Sequence, residues 1–179
     1  MNADFPARDE YADYYADYVS RAQVPDLAEA LESQRNETLA FVSRYSDETA
    51  GATRGTRNWS IKEVLGHLCD AERVFTYRAL RFSRADATAL ASFEQDDYVT
   101  AGNFNARSVE SLKAEYTNLR KATVELWKGL SDEMKLRRGV ASGKPVSVRA
   151  LFHITLGHDS RHLEIMRQLE GEPQRGASA

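Results

Sequence analysis

The chain has 179 residues, of which 42% are hydrophobic and 28% are charged, and its formal net charge is -3. This composition describes a globular domain with a sizeable core, and it excludes a disordered chain and a membrane protein. The negative charge argues against a nucleic-acid partner, and a lone cysteine, Cys69, excludes an intramolecular disulfide and a thiolate zinc cluster. Because the N-terminus is acidic and carries no apolar signal region, we expect a cytoplasmic protein.

Residues 1–24 are predicted to form an N-terminal arm or short helix. Their tyrosines at 11, 14, 15 and 18 follow helical spacing, which favours a short amphipathic helix on the surface of the main domain. An arm ordered by a partner subunit is the alternative. Pro25 is predicted to begin helix one, which extends to about Ser46, and the Gly- and Thr-rich stretch 47–58 is predicted to be a loop.

Helix two has a clear N-terminal signal. Ser60 is followed three residues later by Glu63, the pattern of a capping box, while Trp59 and Val64 occupy the two positions of a hydrophobic staple. The periodicity continues through residue 82. His67 falls in the middle of the apolar stripe of this helix, which is an unusual place for an imidazole.

The next part of the chain is predicted to contain a long connection, a third helix and a turn. Residues 83–107 form the connection, and a loop of that length usually has a function. Ser108 is predicted to cap helix three, which ends near Gly129. Residues 131–146, with two glycines and a proline, are predicted to form a turn or a short hairpin.

Helix four, predicted from Ser147 to Leu169, contains three of the four histidines of the chain. His158 and His162 are four residues apart, so they point in the same direction from the apolar stripe of the helix. His153 points toward another face, about 140° away, and is predicted to be structural. Residues 171–179 are predicted to be a flexible tail.

Four long amphipathic segments and one long crossover predict an all-α protein, a four-helix bundle over residues 25–170. If helices two and four are neighbours, His67 meets His158 and His162 in the core. Three neutral imidazoles can hold a divalent metal ion and leave positions for water or substrate, which is typical of a catalytic site. The alternative is a group of core histidines bonded to carbonyls or carboxylates.

Three separated motifs support the metal interpretation. The sequences WSIKEVLGHLCDAE at 59–72, FEQDDYV at 93–99 and HDSRH at 158–162 resemble those of the DinB-like family, also described as YfiT-like metal-dependent hydrolases. The resemblance covers most of the chain and implies an up-down-down-up bundle that often forms homodimers. It also implies a zinc or nickel site, with iron as a further possibility, whose ligands by position are His67, His158 and His162.

The resemblance leaves the reaction open. Relatives use the metal to activate a low-molecular-weight thiol, as in bacillithiol or mycothiol S-transferases and thiol-dependent maleylpyruvate isomerase. The first hypothesis is therefore a thiol-cofactor S-transferase acting on a small molecule. The second is a metal-dependent hydrolase with water as the nucleophile, and the third is a non-catalytic metal-binding bundle connected with stress. No catalytic base is identified.

Five further residues are predicted to lie near the metal. Glu63 and Asp70 are candidate partners of the ligands, because carboxylates usually accept the second N–H of a ligating imidazole. Arg78, Tyr98 and Asn103 are candidates for a substrate pocket. Arg78 lies about three turns along the face of His67 and is suited to an anionic substrate. Cys69 is predicted to be a small buried residue and Arg161 to face solvent.

Overall fold

The structure, a computed structural model, describes residues 4–52 and 59–169. The predicted tail at 171–179 and residues 53–58 of the predicted loop lie outside this part of the chain. The helices in chain order are α1 (Ala16–Arg21), α2 (Leu27–Val42), α3 (Asp47–Gly51), α4 (Ile61–Ser83), α5 (Gln95–Gly102), α6 (Val109–Lys128), α7 (Asp132–Leu136) and α8 (Val148–Leu169). Among the described residues, no helix combines the length and the apolar character needed to cross a membrane.

The four long helices, α2, α4, α6 and α8, form the predicted four-helix bundle. Helix α4 packs against α6 and α8, and α2 packs against the same two helices from the opposite corner. The order is up-down-down-up, so α4 and α6 run in the same direction. Because the chain must return along the bundle between them, the long crossover at residues 84–108 is a geometric necessity.

Side-chain caps determine where the helices begin. The capping box of α4 is present, since Ser60 Oγ accepts from Glu63 N at 3.1 Å and a Glu63 oxygen accepts from Ser60 N at 2.7 Å. The predicted start of helix one at Pro25 is wrong, because Asp26 Oδ1 accepts from Glu29 N at 3.0 Å and the helix begins after this cap. The predicted end at Ser46 is also wrong, since Ser46 caps the short helix α3 within the predicted loop.

The crossover and the segment before α8 are more ordered than predicted. The crossover contains α5, and residues 131–147 contain α7 and a hairpin of strands β1 (Arg138–Ala141) and β2 (Lys144–Ser147). Ser142 and Gly143 have φ values of 53° and 72°, the positive values that a two-residue hairpin turn requires. Leu90 of the crossover joins the hairpin, donating to Val140 O at 2.9 Å and accepting from Ser142 N at 3.0 Å. The hairpin thereby holds the crossover against the bundle.

A layer of buried polar side chains separates two apolar clusters along the bundle. One cluster packs around Phe82, Trp127 and Phe152, and the other around Leu65, Leu112 and Met166. Each of the four long helices contributes buried polar residues between the two clusters, and these are Gln34, Thr38, His67, Glu72, Arg120, Thr123, His158, Asp159 and His162. Buried polar groups are costly unless they are paired, so this layer is the part of the core that needs a specific explanation.

The N-terminal segment lies against α8, because its helix α1 packs along α8. Glu10 is buried and accepts from Arg149 Nε at 2.8 Å. Burial alone would raise the pKa of Glu10, but hydrogen bonds from Arg149 and Ser147 outweigh it and lower this pKa to about 2. A Cβ on Gly157 would lie 1.8 Å from the Tyr18 carbonyl oxygen, so only glycine allows α1 to approach α8 this closely.

His153 is a core residue, and we expect it to make stability depend on pH. Its Nδ1–H donates to Arg149 O at 2.9 Å, and its ring packs edge-on against Phe5. Burial lowers the pKa of His153 from 6.5. The unfolded chain therefore takes up this proton at a higher pH than the folded chain, so stability is lost as the pH falls below about 6.5, by up to about 1.4 kcal/mol per pH unit.

Urea unfolding at pH 8 and at pH 5 measures this effect in the wild type and in His153→Leu. The leucine variant fills the same buried position with an apolar side chain that cannot take up a proton. Its loss of stability between the two pH values is therefore expected to be smaller than that of the wild type. An equal loss in both proteins would contradict the assignment, because the other buried histidines are present in both.

Candidate metal centre

Three histidines meet in the polar layer, as the sequence predicts. His67 extends from α4, and His158 and His162 extend from consecutive turns of α8. All three are buried, and one ring nitrogen of each lies within 4.8 Å of the others. The Nε2 atoms of His67 and His158 are 3.1 Å apart. Two nitrogen ligands of a tetrahedral zinc ion are separated by about 3.3 Å, so this spacing fits a shared divalent ion.

Trp59 covers one side of the histidine group. Its ring lies 5.0 Å from that of His67 and is stacked at 6.5 Å on that of His162. Trp59 immediately precedes the capping box of α4, so the start of this helix also positions the indole. The nearby Glu63, predicted as a partner of a ligand, instead completes the capping box through Ser60 N.

The carboxylate beside the histidines is Asp159, which the sequence analysis did not select. Its Oδ1 lies 3.6 Å from His158 Nδ1, and neither atom has a hydrogen-bond partner among the described residues. A small movement of either side chain would let Nδ1–H donate to the carboxylate. This contact would keep Nε2 of His158 deprotonated and directed at the shared point, which is the usual role of a carboxylate behind a ligating histidine.

Asp159 belongs to a buried hydrogen-bond network centred on Arg120. The Arg120 guanidinium donates to both carboxylate oxygens of Glu72, at 2.9 and 3.0 Å, and to Asp159 Oδ2. It also donates to Leu31 O at 3.0 Å and to Gln34 Oε1 at 3.1 Å, so all five of its N–H groups are used. The network therefore joins the four long helices, since Arg120 on α6 contacts two residues of α2, one of α4 and one of α8.

The two carboxylates of this network share one cation. Burial would raise the pKa of Asp159, but the Arg120 guanidinium outweighs it and holds this pKa below its usual value. Burial raises the pKa of Glu72, which shares the same guanidinium. Tyr116 donates to Asp159 Oδ2 at 2.8 Å and fixes the carboxylate from a second side. Asp159 is thus an ionised, positioned acceptor next to His158.

The network also places a charged residue on the buried face of α6, which the sequence analysis did not identify. The structure buries Arg120 completely on that face, between Tyr116 and Thr123. A signal was present, because Arg120 is four residues after Tyr116 and so lies on the same helical face.

A cavity of about 450 Å³ opens beside the histidines. Its volume is in the range of small-molecule sites. The N-terminal segment forms one wall and the crossover with the hairpin forms another, and the lining residues include Tyr15, Tyr18, His67, Phe75, Arg78, Phe93, Lys144 and His158. Two of the three histidines therefore face a space that a ligand can enter.

The tyrosine-rich N-terminal segment has a role that its sequence did not reveal. Tyr18 packs edge-on against His158, with ring centroids 5.4 Å apart, and Tyr15 packs edge-on against Phe75 at 6.2 Å. The predicted surface helix is therefore part of the cavity wall. The helical spacing of the tyrosines indicated a helix, but only the packing of α1 on α8 places it beside the histidines.

The three residues predicted for a substrate pocket differ in whether they line the cavity. Arg78 is buried and lines the cavity. Tyr98 is 46% exposed and reaches the cavity only through its contact with Phe93, whose ring centroid lies 5.2 Å away. Asn103 is exposed and ends α5 with a left-handed backbone conformation, away from the cavity lining. Asp70, the other predicted partner of a ligand, lies 3.8 Å from Arg73 on the outer side of α4.

The remaining predictions concern residues outside the site. Cys69 is buried, as predicted, and burial raises the pKa of its thiol, which therefore stays protonated. Arg161 is partly exposed and pairs with Glu164 at 3.3 Å. Neither residue lines the cavity beside the histidines.

Comparisons with known proteins agree with this architecture. A family model described as the DinB superfamily matches residues 30–166. The chain is similar in structure to YfiT from Bacillus subtilis, described as a probable metal-dependent hydrolase with an unusual four-helix bundle topology, with a TM-score of 0.75 and 12% identity. That match covers 95% of this chain and 97% of YfiT.

A second structural similarity is to a mycothiol-dependent maleylpyruvate isomerase, with a TM-score of 0.63 and 11% identity. It covers 81% of this chain and 59% of the isomerase, and a mutant of the isomerase gives the same TM-score of 0.63. At these identities the similarities establish the fold. A comparison with curated protein sequences finds no match.

Proposed function

We propose that this chain, which belongs to the DinB superfamily, is a metal-dependent enzyme acting on a small molecule. The observation that carries the proposal is the convergence of His67, His158 and His162 at the wall of a cavity. A metal site that only stabilises a fold is normally closed by its protein ligands, whereas a catalytic site retains an open position. The cavity therefore favours catalysis over a purely structural metal.

The three imidazoles would hold the ion, and zinc or nickel suits this ligand set, with iron also compatible. A divalent ion held in this way would lower the pKa of a bound thiol or water toward neutrality and so supply a nucleophile. The protein contributes the orientation of its ligands. Asp159 would position His158 once His158 Nδ1–H donates to it, and Arg120 and Tyr116 keep the Asp159 carboxylate in place.

Thiol-cofactor S-transfer is the first candidate reaction. The cavity supports it because it provides space beside two of the histidines for both a thiol and an acceptor. The structural similarity to a mycothiol-dependent isomerase also supports it, although this chain spans only about three fifths of that protein. The cofactor in this proposal is a low-molecular-weight thiol.

Metal-dependent hydrolysis is the second candidate. It is supported by the similarity to YfiT, which extends over nearly the whole of both chains and whose description is that of a probable metal-dependent hydrolase. In this case water takes the place of the thiol beside the same three histidines. The two candidates share the metal centre and differ in whether turnover needs a thiol.

The test begins with elemental analysis of wild-type protein purified without a histidine tag. We expect close to one metal ion per chain, because three buried imidazoles form a preorganised site. The protein is then stripped with a chelator, reloaded with zinc or nickel, and assayed with monobromobimane as electrophile in the presence of cysteine, bacillithiol or mycothiol. A parallel assay measures hydrolysis of an activated ester without any thiol.

S-transfer predicts conjugation that needs both the thiol and the reloaded metal and that disappears in the stripped protein. Ester hydrolysis that depends on the metal but not on a thiol would select the second candidate. If the protein binds none of zinc, nickel and iron, both candidates are overturned and the histidines are core residues.

A further inference from the structure

Arg78 is a buried cation without a buried anion. Only 2% of its surface is exposed, and its Nη2 donates to Ala91 O at 2.7 Å and to Ser142 Oγ at 3.1 Å. Both acceptors are neutral. In the part of the chain that the structure describes, Arg78 forms no ion pair with a carboxylate, although it lines the cavity beside His67 and His158.

Arg120, which is also buried, shows what the lack of a carboxylate partner means for Arg78. Arg120 is surrounded by the carboxylates of Glu72 and Asp159, which compensate its charge. Burying an arginine without such compensation is costly, and an anionic ligand in the cavity would supply the missing charge. Nε and Nη1 of Arg78 donate to no carboxylate or carbonyl of the described residues, so either can give a carboxylate one charge-assisted hydrogen bond.

The surroundings of Arg78 favour a particular kind of anion. Tyr15, Phe75 and Phe93 provide an apolar, aromatic lining in the same cavity. Burial raises the pKa of Tyr15, so its hydroxyl stays protonated and can donate. Lys144 adds a second cation and Glu94 adds a carboxylate, but both are exposed at the rim. One buried positive charge in an aromatic pocket suits a single carboxylate better than a doubly charged phosphate.

The position of Arg78 on α4 orients the ligand. The Cα atoms of His67 and Arg78 are about 16 Å apart along the helix axis, at about 1.5 Å per residue. Side chains on a helix lean toward its N-terminus, so the long Arg78 side chain extends back toward His67 and shortens this gap. A ligand held at Arg78 can therefore extend toward the histidines over the length of a small organic molecule.

We propose that the cavity binds a small aromatic carboxylate, with its carboxylate on Arg78 and its other end directed at His67 and His158. This inference rests on the proposed function for the identity of the reacting end, but the binding itself needs only the cavity. Arg78 is a binding residue that determines the substrate class. Its bonds to Ala91 and Ser142 fix the guanidinium in place before the ligand arrives.

The test uses benzoate, phenylacetate and hydrocinnamate as probes, each compared with its neutral primary amide. Isothermal titration calorimetry is performed on chelator-stripped protein and on zinc-loaded protein. We expect at least one acid to bind about tenfold or more tightly than its amide in both forms, as one charge-assisted hydrogen bond to a buried cation would give. Arg78→Met is expected to abolish this preference, whereas Arg84→Met, which removes an exposed charge outside the cavity, keeps it.

Arg78→Lys covers the case in which the methionine variant does not fold. It retains the positive charge but loses the planar guanidinium, so part of the preference is expected to remain. Equal binding of acids and amides by the stripped wild type would overturn the inference, as would a preference that appears only with zinc and survives in Arg78→Met. A preference that persists in protein unable to bind metal would uphold this inference while the proposed function fails.

Discussion

Replacing Arg120 by methionine lowers the free energy of unfolding by about 3–5 kcal/mol, the usual effect of removing one partner from a buried ion pair. Methionine fills much of the same space, but it cannot donate to Glu72, Asp159, Gln34 or the Leu31 carbonyl. Two carboxylates then remain buried without a cation. Urea unfolding followed by circular dichroism measures the loss.

Lys128→Met is the matched control, since it removes a cation from the same helix. Lys128 pairs with Glu32 at 3.3 Å, but about half of each side chain is exposed. Exposed pairs of this kind contribute roughly 0–1 kcal/mol. If Arg120→Met cost no more than Lys128→Met, the network would not stabilise the bundle in the way described, and Asp159 would need another explanation for its position.

Replacing His162 by alanine lowers the affinity for zinc by at least about 100-fold, because removing even an outer partner of a ligand costs about 10–100-fold. The loss follows from reducing three converging nitrogen ligands to two. Competition with a chromophoric chelator measures the affinity directly. A second readout is thermal stability, since zinc at about 100 times its Kd should stabilise the wild type by about 2.7 kcal/mol and the variant much less.

Two further variants complete the expected order of zinc affinities. Asp159→Asn keeps the three ligands but weakens the acceptor near His158 Nδ1, so its affinity should fall by about 10–100-fold and lie between the other two proteins. His153→Leu removes a histidine from the same helix but outside the cluster, and it should bind zinc like the wild type. Equal zinc affinity in wild type and His162→Ala would exclude the three-histidine site.

Local signals made the long helices predictable. The capping box of Ser60 and Glu63 depends on residues three positions apart, and the structure contains it as predicted. The errors at Pro25 and Ser46 are of the same local kind, since Asp26, the next residue after Pro25, caps α2, and Ser46 caps α3 and does not end α2. The short helices α3 and α5 lie in segments whose composition indicated loops, where packing against α4 decides the conformation.

The candidate site was predictable only in part. His158 and His162 are four residues apart on one helix, so their common direction follows from helix geometry alone. That His67 joins them depended on α4 and α8 being neighbours, which the family resemblance implied. Glu63 and Asp70 were selected by their spacing from His67, but local spacing could not reveal that one caps the helix and the other pairs with Arg73.

The sequence by itself determined the all-α bundle, its long helices and the histidine pair, because periodicity, caps and helical spacing act over a few residues. Only the tertiary structure decided what surrounds the histidines. Arg120 lies 48 residues from Glu72 and 39 from Asp159 along the chain. Contacts over such distances are set by the relative positions of whole helices, and so are the cavity and the isolated charge of Arg78 within it.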